Sequence, residues 1–468
     1  MELYELGVKA AREALARGEV SSREIVESII GRCRAKNGEI GAYVSFDEEG
    51  ALALADANPK SVPVAVKDLI SVAGQECTCG SKILKGYVAP EDATLVANMK
   101  RNGFIPAGRT NMDEFAMGSS TENSALCKTR NPFDPERVPG GSSGGSAAAT
   151  GGNMCIAALG SDTGGSIRQP ASFCNCVGVK PSYGRVSRSG VVAFASSLDQ
   201  VGPMAKDVTD AAILFDAICG RDPKDGTMPE LAAPNCEAAL EGASLKGVRI
   251  GLPKEYHGTQ GMEAETKRIT DEAIAKCAAA GAELVEVSLP HTEWGMPVYY
   301  IIAMAEASAN LARFDGVRFG LRSASARDVR SLYEKTRAEG LGPEVKRRII
   351  IGTFVLSGVQ NGAFFGQAQK VRRLIKRDFD EVFGKVDALL TPTVQAPAFK
   401  FGERQDPIAM YLNDLFAVPA SLAGVCAASV PAGFTRAGGL PVGVQFICNA
   451  FEEARLFRVC KAFEDLAK

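Results

Sequence analysis

The residues able to carry covalent chemistry concentrate in one stretch of the chain. Nine glycines fall between residues 140 and 165, in PGGSSGGSAAATGG and LGSDTGGSIRQP, interleaved with serines and threonines; average usage of about 7% puts roughly two in such a window. Glycine at that density brings backbone close to something small. A serine hydroxyl is a weak nucleophile and needs a neighbouring group to take its proton. Histidine commonly does so, but the chain has only two, His257 in GLPKEYHGTQ and His291 in SLPHTEW. Both follow Pro-containing strand ends, where solvated loops are expected. A lysine can replace histidine if its pKa falls from about 10.4 to near 7, at a cost of about 4–5 kcal/mol that burial can supply. Lys67 closes the apolar run VPVAV and is expected to project from a strand end into the interior or the catalytic edge of a sheet.

Other readings of the glycine island fit less well. A flexible linker is polar throughout, whereas SAAAT and MCIAALG interrupt this one. A phosphate-binding loop needs GxxxxGK before Ser or Thr; Gly140 and Gly145 have the spacing, but Ser146 stands where the lysine belongs. The nucleophile elbow GxSxG matches around Ser142 and again around Ser143, yet an elbow follows a strand and NPFDPERVPG reads as a loop.

Composition removes whole classes of function. With 53 Lys plus Arg against 55 Asp plus Glu, no global charge draws the chain to nucleic acid or an anionic membrane, so any nucleic-acid contact is local or borne by a partner. Thirteen cysteines are scattered from Cys33 to Cys460, and the only close pairs, Cys77 with Cys79 and Cys174 with Cys176, are CxC without a neighbouring histidine. Buried, reduced thiols are expected rather than zinc sites or redox motifs. The N-terminal MELYELGVKAAREALARGE mixes charges among its apolar residues, unlike a signal peptide, and no run approaches the roughly 18 apolar residues of a spanning helix. A soluble, cytoplasmic protein is expected.

The elements that must position these residues read as an α/β layer fold. Two amphipathic helices fill the first 50 residues, the second opened by a Ser21–Glu24 capping box. Strands are predicted at VPVAV (62 to 66), FIPAG (104 to 108), MCIAALG (154 to 160), CVGVK (176 to 180), VRIGLP (248 to 253) and AELVEVSL, then at VDALLTPT, CAASVPAG and PVGVQFIC. Helices are predicted near 93 to 102, over 208 to 220 behind Asp207, over 263 to 280, through most of 296 to 382, and from Glu452 onwards. Strands alternating with helices in this way argue for one large α/β domain.

PVAVKD with Lys67, GGSSGGSAAA with Ser142 and GSDTGGSIRQPA with Ser166 resemble, in order and spacing, the hallmark of the amidase signature enzymes. The resemblance implies a single domain over 1–468 with a central mixed β-sheet covered by helices on both faces: N-terminal helices over 1–60, the signature core over 61–220, and the remainder, with a glutamine pocket, over 221–468. It implies a Ser-cisSer-Lys triad in which Ser166 is the nucleophile and Ser142, after a cis peptide bond, relays its proton to neutral Lys67. Backbone N–H groups of Thr163, Gly164, Gly165 and Ser166 form the implied oxyanion hole.

Longer segments, among them GRTNMDEFAMGSSTENSA (108 to 125), YGRVSRSGVVAFASSLDQVGP (183 to 203), EASANLARFDGVRFG (306 to 320) and EVKRRIIIGTF (344 to 354), are similar to the glutaminase subunits of tRNA-dependent amidotransferases within that family. This likeness implies glutamine as substrate, with Asp414 on its ammonium, Arg348 or the neighbouring Arg347 on its carboxylate, and Tyr299 lining the pocket. It implies B and C partner subunits, with tRNA, ATP and Mg held by the partner and no cofactor in this chain. The chain departs from the pattern at ANPKSVP before Lys67, at CTCGSKIL, and at GVQNGAFFG (358 to 366). Two rival functions are a free-standing amidase of small amides with the same triad and a catalytically idle scaffold.

Overall fold

The computed structural model describes residues 2–258, 261–357 and 363–466. In chain order its strands are β1 (Tyr43–Ser45), β2 (Val62–Lys67), β3 (Phe104–Thr110), β4 (Ala157–Asp162), β5 (Val177–Lys180), β6 (Gln200–Ala205), β7 (Arg249–Pro253), β8 (Glu283–Val287), β9 (Ala388–Pro392), β10 (Cys426–Phe434) and β11 (Pro441–Cys448). All belong to one sheet of order β1-β3-β2-β4-β6-β5-β10-β11-β9-β7-β8. It is mixed: β3, β2 and β4 run parallel, as do β9, β7 and β8, and the strands from β4 across to β9 pair antiparallel. Every residue of β2, β3, β4, β5, β6, β9 and β11 is buried, so both faces of the central sheet are covered.

Local chemistry sets the helices around it. Ser21 Oγ accepts from the Glu24 N–H at 3.2 Å while the Glu24 carboxylate accepts from the Ser21 N–H at 2.7 Å, opening the helix Ser22–Ile40. Gly41, at φ 66°, ends it, a left-handed conformation that costs glycine little. Asp207 caps Val208–Ile218 by accepting from the Asp210 N–H at 2.8 Å. That helix packs on β6, and the helices Arg168–Phe173 and Glu453–Asp465 pack on β10 and β11.

Several expectations need correction. The first 50 residues hold the helices Val8–Arg17 and Ser22–Ile40, but also β1 and the start of a third helix, Glu48–Ala57. MCIAALG becomes strand only from Ala157, because Asn153 adopts φ 54° in the preceding turn. β6 escapes the sequence reading because Gly202 and Pro203 interrupt QVGPMA; pairing with β4 over six residues overrides that weak local preference. Neither histidine is a solvated loop residue. His257 ends a short helix with Nε2 3.0 Å from the Leu390 carbonyl, and His291 sits in a 3-10 turn with Nδ1 2.8 Å from Asp378 Oδ1. All thirteen cysteines are unpaired, and all but half-buried Cys127 are buried. Of the divergent segment 358 to 366, residues 358–362 lie outside the described residues. No described helix is long and apolar enough to cross a membrane.

Candidate active site

Lys67 ends β2, flanked by β3 and β4. The register Val66↔Leu159 carries it level with the second half of β4, and its side chain is wholly buried. Its Nζ lies 2.8 Å from each of three hydroxyl oxygens, Ser142 Oγ, Ser143 Oγ and Ser161 Oγ. Burial pushes the amine down to about 7, although the carboxylates of Asp113, Asp162 and Asp199 pull in the other direction. At neutral pH a large share of the amine is therefore uncharged and basic.

Ser142 and Ser143 immediately precede the helix Gly144–Gly151, after an irregular segment rather than a strand. The Gly141–Ser142 peptide bond is cis. Three contacts fix this turn: the Gly141 N–H donates to Gln169 Oε1 at 3.0 Å, the Asp113 N–H to the Ser142 carbonyl at 3.2 Å, and the Ser143 N–H to the Ser166 carbonyl at 3.1 Å. The last joins the two serine-bearing segments directly. Asp113 is itself buried and accepts from the N–H groups of Ser120, Thr121 and Asn123.

Thr163, Gly164, Gly165 and Ser166 form the loop between β4 and the helix Arg168–Phe173. A fully buried fork closes its two ends: Arg168 Nε and Nη2 donate to the Asp162 oxygens, each at 2.9 Å. The same guanidinium donates to the Ala417 carbonyl, Gln445 Oε1 and Ser421 Oγ. Burial raises the Asp162 carboxyl, but Arg168 outweighs it and holds the group below the usual carboxylate range. Thr163 Oγ1 donates to Asp199 Oδ1 at 2.7 Å, anchoring the loop once more. Ser166 keeps 7% of its surface open.

The glycines make room for specific neighbours. A Cβ at Gly164 falls 2.7 Å from the Tyr299 ring, and one at Gly165 falls 2.7 Å from Asp414 Oδ1, so the two pocket residues and the loop meet at van der Waals range. Asp414 is buried; its Oδ2 accepts from the Ser119 hydroxyl, whereas Oδ1 has no partner among the described residues. Burial raises this carboxyl to about 7, and the charges of Arg168 and Arg348 only partly counter it. Arg348 and Asp414 both act electrostatically on the Tyr299 phenol, which burial raises well above its ordinary value. Of the two adjacent arginines, Arg348 is 3% exposed and Arg347 46% exposed.

The structure thus brings Lys67, Ser142 and the loop of Ser166 to one point, with Tyr299 and Asp414 against that loop. Sequence reasoning missed Ser143 and Ser161, the other two hydroxyls on the amine, along with the Asp162–Arg168 fork, Asp199 and Gln169. The spacing of Asp162 and Arg168 around TGGS is visible in the sequence; the burial that turns them into a clamp is not.

This geometry has counterparts. The amidase family profile matches residues 24–457. The A subunit of glutamyl-tRNA(Gln) amidotransferase from Carboxydothermus hydrogenoformans is 52% identical to the chain, covering 99% of it and 98% of the relative; its namesake from Koribacter versatilis is 50% identical, covering 99% of each. Among solved structures, the A subunit of glutamyl-tRNA(Gln) amidotransferase from Thermotoga maritima is 41% identical with a TM-score of 0.82, over 99% of this chain and 95% of that one. The peptide amidase of Stenotrophomonas maltophilia is 28% identical with the same TM-score, 0.82, over 98% and 96%. A buried lysine among serine hydroxyls, a glycine loop clamped beside a further serine, Ser166, and a family match across most of its length make this chain a member of the amidase family.

Proposed function

We propose that the chain is the glutamine-hydrolysing subunit of a glutamyl-tRNA(Gln) amidotransferase, in which Ser166 is the nucleophile and Lys67 the base acting through Ser142. The observation that carries this reading is the set of protons around Lys67. Ser143 Oγ donates its one proton to the Ser161 carbonyl at 3.0 Å and accepts from the Ser161 N–H at 3.1 Å. It can therefore only receive a proton from Lys67. A neutral amine has two N–H bonds and one lone pair: one N–H serves Ser143, and giving the other to Ser161, through its hydroxyl at 2.8 Å or its carbonyl at 3.5 Å, leaves the lone pair for the Ser142 O–H. Ser142 can then give its proton to Lys67 and, in this reading, takes one from Ser166, whose carbonyl already accepts from the neighbouring Ser143 N–H at 3.1 Å.

In the acylation step the Ser166 oxygen bonds to the side-chain amide carbon of glutamine while its proton moves to Ser142 and the Ser142 proton to Lys67. The resulting oxyanion is received by the backbone N–H groups of the Thr163–Ser166 loop, fixed in advance by the Asp162–Arg168 fork. Collapse breaks the C–N bond as the proton returns through Ser142 to the leaving nitrogen, and ammonia departs. Water then repeats the sequence on the γ-glutamyl ester, releasing glutamate and restoring Ser166. Asp414 Oδ1, buried and without a partner among the described residues, suits an ammonium group, and the Arg348 fork suits a carboxylate. That pair favours an amino-acid substrate over a simple amide.

The names of the full-length relatives support a role in tRNA-dependent amidation. In this reading B and C subunits complete the complex in the cytoplasm, and the B subunit holds tRNA, ATP and Mg, in keeping with the near-neutral charge of this chain. The test is Ser166→Ala in the assembled complex. Glutamine-dependent amidation of glutamyl-tRNA should disappear while ammonia-dependent amidation persists. Loss of both, or rapid turnover of simple aliphatic amides by the isolated chain without preference for glutamine, rejects the reading.

A further inference from the structure

The helix Pro343–Leu356 carries Arg348, and its first turn carries the acidic residue that holds that arginine. Glu344 Oε1 accepts from Arg348 Nε at 2.8 Å and from the Tyr411 hydroxyl at 3.0 Å; Oε2 accepts from Arg347 Nη1. Three rings surround the Arg348 guanidinium, with centroids 5.7 Å (Phe194), 5.5 Å (Tyr300) and 5.4 Å (Tyr411) from its central carbon. Nε is thus engaged and the plane of the fork is fixed, while Nη1 and Nη2 make no hydrogen bond among the described residues. Glu344 also lines a cleft of about 470 Å³. Across that cleft Glu114, buried beside Asp113, accepts from the Gly342 N–H at 2.8 Å and so ties the start of this helix to the segment that follows β3.

We propose that Glu344 is a positioning residue for substrate specificity: with Tyr411 it sets the Arg348 fork so that both Nη groups face an α-carboxylate. A guanidinium and a carboxylate, Arg348 and Asp414, together suit a zwitterion. Removing Glu344 frees the fork to rotate, so an amide carrying both an ammonium and a carboxylate loses its advantage over one carrying only the ammonium. This rests on the reading of Arg348 as the carboxylate ligand.

The experiment uses the assembled complex with the variants Glu344→Ala, Glu344→Gln and Arg348→Lys. It compares kcat and KM for glutamine and for glutaminamide, in which a carboxamide replaces the α-carboxylate. Glu344→Ala should raise KM for glutamine by about ten- to a hundredfold, the usual worth of one hydrogen bond to a charged group, with kcat nearly unchanged and the kinetics of glutaminamide unaffected. Glu344→Gln, which can still accept from Arg348 and Tyr411, should recover most of that loss. Equal damage to both substrates, or an unchanged KM for glutamine in Glu344→Ala, overturns the proposal. Arg348→Lys separates the two levels: if it raises the glutamine KM while Glu344→Ala does not, only the role of Glu344 falls, and if it too is silent the carboxylate reading falls with it.

Discussion

Two groups with opposite requirements titrate near neutrality in the free protein. In the proposed mechanism Lys67 must be uncharged to accept a proton and Asp414 charged to hold an ammonium, and both lie at about 7. Glutamine itself stays zwitterionic from mildly acidic to neutral pH, so the acid limb of kcat/KM reports these two groups. Between pH 7 and pH 5 the competent fraction of each falls about fiftyfold, which multiplies to about 2,500-fold in kcat/KM with a limiting slope of about 2. Once glutamine is bound, its ammonium keeps Asp414 ionised, so kcat should fall with a slope of about 1. Asp414→Asn removes one titration: kcat/KM at pH 7 drops, but its acid limb becomes shallower, about fiftyfold over the same range. Steady-state release of ammonia from glutamine, measured from pH 5 to 8 on the complex, gives both limbs. A slope of 1 in kcat/KM for the native protein, or an unchanged slope in the Asn variant, would refute the assignment of Asp414.

Other perturbations follow from the same geometry. Lys67→Met should abolish turnover and change the pH dependence of stability. Holding this amine at about 7 rather than 10.5 burdens the fold by about 5 kcal/mol at acidic pH, and the burden fades as pH climbs towards 10.5; denaturant titrations should therefore favour the variant by about 4 kcal/mol more at pH 6 than at pH 10. Arg168→Leu strands Asp162 as a buried unpaired charge, with an expected loss of about 3–5 kcal/mol in unfolding free energy and no acyl-enzyme detectable by mass spectrometry. Gly164→Ala drives a methyl against the Tyr299 ring, 2.7 Å from its nearest atom, with an expected destabilisation of about 1–3 kcal/mol and reduced kcat; Tyr299→Leu in the same chain should restore part of the stability, read as melting temperature.

What the sequence discloses and what it hides divide along physical lines. The capping box at Ser21, the cap at Asp207 and the runs VPVAV and PVGVQFIC are local, and the structure places helices and strands there. β6 is hidden because its stability comes from β4 and β5 on either side, not from its own Gly-Pro-interrupted residues. Lys67 can be suspected of burial from the run before it, but Ser143 and Ser161 look like any other serines of a glycine-rich stretch until the register of β2 on β4 brings them to one amine. Arg347 and Arg348 are indistinguishable in VKRR. Only the packing of Tyr300, Tyr411 and Phe194 around one of them tells them apart.

The order of strands constrains how the chain can be made. β10 and β11 enter the sheet between β5 and β9, with Ala427 opposite Lys180 and Ser429 opposite Gly178. A nascent chain leaving the ribosome therefore has Lys67, Ser142 and Ser166 in hand early, yet the flank of β5 stays unsealed until β10, ending at Phe434, has emerged. An open strand edge of that kind invites pairing with another chain. Premature termination anywhere before the last hairpin should yield sticky, inactive fragments rather than a smaller working enzyme.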